Sequence, residues 1–207
     1  MVYDLPMRGL SLIVSILVVL TFPAFAQEAA EPVPGEAPAV LVAPKKPAEV
    51  RSDQLDTLFA RLYQSDGAGA QSIEQKIWAL WGASDSATAE VLLQQSGKAI
   101  DAGAPAEALS ILDRLIGAYP DFAEAWNKRA TLYFMMKRDD ASLKDIEHVL
   151  DLEPRHFGAL AGRGMILQRQ KKYAAALESY QQALKINPGL EAVKDSIKQL
   201  ERLEQGI

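Results

Sequence analysis

Few side chains in this chain could do chemistry. His148 and His156 are its only imidazoles. A zinc or copper centre needs three or four converging ligands, and no carboxylate–histidine spacing repeats around either one. Asp139 and Asp140 form an acidic pair, which reads as the turn between two helices with Asp as cap. The stretch Gly158 to Gly164, "GALAGRG", has the glycines of a phosphate loop but no strand ahead of it. Its glycines fall inside a helical pattern, where small residues serve helix contact. Motifs of the HExxH, GxSxG, Walker and GxGxxG types are absent. Cysteine is absent too, which removes thiol catalysis, disulfides and Cys-based zinc sites. These residues point away from an enzyme, and they call for no cofactor and no metal.

Composition allows a packed domain. Of the 207 residues, 49% are apolar and 24% charged, which excludes global disorder. Net charge is −5, so nothing favours nucleic acid, which selects a basic face.

The first 26 residues read as an export signal. Arg8 precedes an apolar run from Leu10 to Leu20, and Ala24-Phe25-Ala26 matches an A-x-A cleavage site before Gln27. Leu10 to Phe25 is short of the roughly 20 residues a membrane span needs. Export without cysteine suggests a bacterial periplasm. Residues 27–49 hold Pro32, Pro34, Pro38, Pro44 and Pro47 without helical or strand period, and read as an extended linker.

From Val50 onward the pattern is helical. Ala, Leu, Glu, Gln and Lys dominate, and apolar residues recur at three and four, as in Leu109, Leu112, Leu115 and Ile116. Breaks at Gly67-Ala68-Gly69, Gly103-Ala104-Pro105, Pro120, Pro154 and Pro188 cut the chain into helix-sized pieces. Three of these prolines stand 34 residues apart. A fixed period of that size marks a repeat array.

In this register small residues recur at matching places: Gly164, Ala176, Ala130, Ala108 and Ser96. Bulky residues recur at others: Trp126, Tyr133, Leu160, Leu167 and Tyr180. The spacing and pattern resemble the tetratricopeptide repeat (TPR) family over roughly Leu55 to Leu203, most specifically in the last two full repeats. Departures are Ser142 where Ala is usual, and Arg129 and Arg163 where Leu is usual. The resemblance implies an all-α fold, a TPR-type α-solenoid of antiparallel helix hairpins with about nine helices. Its parts would be a degenerate helical pair (50–88), repeats at 89–122, 123–156 and 157–190, and a C-terminal capping helix (191–207). The pair would cap the N-terminal end of the stack. The last helix has Val193, Ile197, Leu200 and Leu203 on one stripe and charges on the other face, as a cap should.

First helices line the concave face of such a stack. The resemblance therefore implies a peptide groove at Asn127, Lys128, Thr131, Phe134, Met135, Met165, Gln168 and Arg169, with Glu124, Gly158, Ala161 and Gly162 at neighbouring groove places. Exposed Met and aromatic side chains suit an adaptable binding surface. Lys128 and Arg169 could hold a ligand oxygen. The Lys/Asn/Arg clamp with which some family members grip chaperone tails is not reproduced.

The expected function is a non-catalytic protein-protein interaction module or adaptor in the bacterial cell envelope, with a protein or peptide partner and no nucleic acid. A second reading is a membrane-anchored or self-associating scaffold that keeps its N-terminal segment. The membrane is a partner only in that case, and the oligomeric state is open.

Overall fold

The structure, a computed structural model, describes residues 45–205. The export signal, and the linker as far as residue 44, lie outside the described residues. Within them the chain is nine α-helices without a strand: α1 (Pro47–Tyr63), α2 (Gly67–Trp81), α3 (Ala87–Asp101), α4 (Pro105–Ala118), α5 (Ala123–Met135), α6 (Asp139–Leu152), α7 (Phe157–Arg169), α8 (Tyr173–Ile186) and α9 (Glu191–Gln205). α1 starts earlier than the sequence reading placed it. Pro47 occupies the first helical turn, where its missing N–H costs nothing, and Glu49 reaches back to the Lys46 backbone N–H.

The 34-residue period is visible in the helix starts. α5, α7 and α9 begin at Ala123, Phe157 and Glu191; α4, α6 and α8 begin at Pro105, Asp139 and Tyr173. α4, α6 and α8 end at Ala118, Leu152 and Ile186, two residues before each proline. The residue between is forced out of the helical region by the proline ring: Tyr119, Glu153 and Asn187 have ψ of 69°, 88° and 93°. Inside each hairpin the turn needs one left-handed residue. Gly103, Lys137 and Lys171 supply it in register, with φ of 69°, 59° and 61°.

Small residues let the two helices of a hairpin meet. Ala108, Ala130, Ala176 and Gly164 are buried. Ser142 departs from the alanine pattern without leaving a buried hydroxyl unpaired, because it donates to the Ala130 carbonyl across the hairpin at 2.7 Å. Arg129 departs too, and the structure shows what replaces leucine. Its guanidinium grips the buried Asp145 of α6 through two bonds of 2.8 Å and reaches Asp113 of α4 at 2.7 Å. Its cationic centre lies 4.9 Å from the Trp126 ring and 5.8 Å from Tyr133. One side chain thus joins two hairpins. Donating to the Asp145 carboxylate raises the pKa of this arginine above its ordinary value despite desolvation. Arg163, one period on, plays a neutral version: it donates to Ser179 at 3.0 Å and to Gln182 at 2.7 Å.

The first helical pair is where the structure departs from the sequence reading. The expected place was the N-terminal end of the stack, beside α3 and α4. Instead the apolar faces of α1 and α2 (Leu55, Leu58, Phe59, Leu62, Ile73, Ile77 and Trp81) form one core with Phe157 and Leu160 of α7 and Ala183 of α8. The pair lies against the proline turns. Trp81 donates to Glu153 at 3.4 Å, Arg155 pairs with Asp56 at 2.7 Å, and the buried Asn187 donates to Glu74 at 3.0 Å. The physical reason is the aromatic content of α2. Trp78 and Trp81 need an apolar seat, and Phe157 with the His156 ring provides it. α9 behaves as a cap: Val193 and Leu200 bury against Ala176 and Tyr180, and Leu203 stays 51% exposed.

The Arg129 pairing makes a testable contrast. Asp145→Ala should destabilise the fold by about 3 kcal/mol, since it leaves a largely buried guanidinium without its main partner. Asp113→Ala, at the 57% exposed end, should cost at most about 0.5 kcal/mol. Urea unfolding of the two variants checks the difference.

Candidate functional site

A groove runs between α5 and α7. It has a volume of about 370 Å³ and is lined by Asn127, Thr131, Phe134 and Met135 on one side. Gly158, Ala161, Gly162 and Met165 line the other, and Ala130, Ser142, Ile146 and Ile166 contribute to the floor. Met135 is 60% and Met165 47% exposed, two large apolar side chains on opposite walls of one channel. The floor is ordinary hairpin core, so the channel is a by-product of two first helices set side by side with small residues on α7.

The eight residues expected at a binding face separate into two sets. Asn127, Thr131, Phe134, Met135 and Met165 come together along the groove. Asn127 donates to Glu124 at 3.0 Å, and the Thr131 hydroxyl donates to the Asn127 carbonyl at 3.0 Å. Arg169 lies at the far end. It pairs with Asp139 and rests 4.1 Å from the Phe134 ring centre, so it is engaged by its own fold. Lys128 is half-buried and is not among the lining residues. Gln168 is committed inside the hairpin, where it accepts from the Tyr180 hydroxyl at 2.8 Å. Burial raises the Tyr180 pKa, which keeps that phenol a donor. Asp139, expected as a helix cap, is instead the first residue of α6 and spends its carboxylate on Arg169.

Glu124 also departs from its expected exposed place. It is 6% exposed and holds the most polar part of the core. His156 caps α7: its Nδ1 accepts from the Ala159 backbone N–H at 3.0 Å. That fixes the proton on Nε2, which faces the Glu124 carboxylate at 3.3 Å. The imidazole is fully buried, stacked on Trp81 at 4.0 Å and met edge-on by Trp78 at 5.3 Å. Each ring nitrogen already has a protein partner, so this cluster is a structural joint between α2, α5 and α7. His148 is exposed and packs 4.2 Å from the Trp126 ring. Among the described residues no group of three or more His, Cys, Asp or Glu side chains could hold a metal ion. The cluster was hard to foresee, because its signal was a turn histidine and two tryptophans 75 residues or more away from it in sequence.

Trp78 also bounds the groove. A Cβ on Gly158 would fall 2.5 Å from the Trp78 ring, so α2 closes up to the first turn of α7. The other end, towards the turns after α5 and α7, is lined by Phe134, Met135 and Met165.

Comparison with known proteins places this architecture. The tetratricopeptide repeat model matches residues 158–190, and a second model of the same description matches 98–147. A TPR repeat-containing protein of Rhizobium etli is 38% identical over 162 residues, covering 78% of this chain and 79% of that protein. DnaJ homolog subfamily C member 3 of Rattus norvegicus is 30% identical over 120 residues, only 24% of its own length. Among solved structures, the first TPR of Spaghetti (RPAP3) bound to an HSP90 peptide superposes with a TM-score of 0.56 at 21% identity. That match covers 58% of this chain and 96% of the other. MamA superposes with a TM-score of 0.54 at 20% identity, over 79% of this chain and 87% of its own.

Two glycines two residues apart on α7 should respond oppositely to alanine. A Cβ on Gly162 would meet only the tip of Ile146, at 3.7 Å; on Gly164 it would lie 2.5 Å from the buried Tyr180 ring. Gly162→Ala should therefore gain about 0.5–1 kcal/mol from helix propensity. Gly164→Ala should lose about 2 kcal/mol through overpacking. Thermal unfolding of both variants checks the signs.

Proposed function

The chain belongs to the tetratricopeptide repeat family, and from that premise we propose that it is a non-catalytic adaptor of the bacterial cell envelope. It holds an extended segment of a partner protein in the groove between α5 and α7. The observation that carries this reading is the pair of exposed methionines, Met135 and Met165, facing each other across an apolar channel that the fold leaves unfilled. Methionine adapts its shape to different apolar partners, and a chain segment fits a channel of this section better than a small polar ligand does. Repeats of this family serve as interaction platforms, and the solved relative with a bound HSP90 peptide is one such case. The periplasm is the compartment we propose, supported by the Arg8, Leu10–Leu20 and Ala24-Phe25-Ala26 pattern.

Two measurements test the reading. Gly162→Met places a side chain in the groove at a position with room for its Cβ. It should abolish capture of native partners in an envelope pull-down while leaving the melting temperature unchanged or higher. Met135→Ser with Met165→Ser should weaken capture roughly tenfold, as two apolar contacts are lost. Unchanged capture by both variants moves the site off this groove. For the compartment, N-terminal sequencing of the mature protein should begin at Gln27; an intact Met1 or Met7 would favour the anchored scaffold instead.

A further inference from the structure

The turns that follow the two walls of the groove carry cations. Lys137 and Arg138 form the turn between α5 and α6, and Lys171 and Lys172 the turn between α7 and α8; all four are exposed. The two turns are neighbours in space, because Arg169 at the end of α7 pairs with Asp139 at the start of α6. None of the four cations forms an ion pair with a described residue. With Arg169 they set five cations against two carboxylates, Asp139 and Asp140, on a chain whose net charge is −5. Met135 and Met136 lead directly into this rim, and Met165 stands one turn before it.

These turns also carry unusual backbone conformations. Lys137 and Lys171 are the only non-glycine residues at positive φ among the described residues, where the preceding hairpin uses Gly103. A lysine there sacrifices stability that a glycine would keep. Both hairpins beside the groove carry that cost, and in both a further cation follows.

We propose that the partner segment in the groove is acidic as well as apolar: its apolar side chains sit between Met135 and Met165, and its carboxylates lie over Lys137, Arg138, Lys171 and Lys172. This rests on the groove reading above and adds the partner's chemical class. These cations lie on the hairpin turns, off the faces of the first helices. A peptide is favoured over an anionic lipid surface because the methionines stand on the walls of a channel. A bilayer would need them on a flat or projecting face.

The test is a selection from a random displayed peptide library on the full chain. Peptides rich in Asp or Glu and in large apolar residues should emerge. One selected peptide, labelled, should lose roughly tenfold in affinity to Lys137→Glu/Lys171→Glu. It should also bind more weakly as salt rises. The variant Lys137→Gly/Lys171→Gly guards against misfolding. It should melt about 3 °C or more higher, yet still bind more weakly. Peptides that depend on Gly162 but carry no acidic enrichment would overturn this proposal and leave the groove reading standing. A selection that yields no peptide would overturn both. Co-sedimentation with phosphatidylglycerol vesicles, lost in the Lys→Glu variant and without acidic peptides in the selection, would reassign the rim to lipid.

Discussion

How closely two helices of one hairpin can approach decides almost everything else in this protein. Gly164 lies under the Tyr180 ring, and Ser142 donates to the Ala130 carbonyl across its hairpin. Because the helices meet at small residues, their larger side chains are turned outward and must bury against the next hairpin. No hairpin can finish its own core, so stacking is obligatory. Other small residues on α7, Gly158, Ala161 and Gly162, leave the channel beside α5 unfilled.

Polar residues at the joints fix which hairpin meets which. Arg129 is bound on both sides, to Asp145 within its hairpin and to Asp113 of the one before. His156 ties the start of α7 to Glu124 on α5 and to the tryptophans of α2. Apolar contact alone is indifferent to small rotations between neighbours. A bidentate arginine and an oriented imidazole are not, so they set the relative placement of the helices that line the groove.

The repeat part of the fold was legible because its cause is local. Proline at a 34-residue step, small residues at the crossings and an amphipathic last helix each act within one or two turns of chain. Five of the eight candidate groove residues lie along the groove for the same reason: helix register alone places Asn127, Thr131, Phe134 and Met135 on one face. Where the reading failed, the deciding contact was distant or involved a competing partner. Glu124 and Gln168 had the right register, but His156 and Tyr180 claimed their polar atoms. The first pair carried no repeat signature, and the apolar seat of Trp78 and Trp81 lies some 75 to 80 residues away at His156 and Phe157.

That seat alters the character of the array. A linear solenoid is held only by nearest neighbours, so its ends fray and its curvature can open like a spring. Here α1 and α2, joined by the chain to the first hairpin, are packed onto the last, with bonds spanning 99 residues from Asp56 to Arg155 and 113 from Glu74 to Asn187. Such contacts raise the contact order and slow folding. In return they bind the two ends of the array to each other. Stretching the stack or losing its last hairpin requires breaking a tryptophan-rich core, which favours unfolding as one body over fraying from the ends.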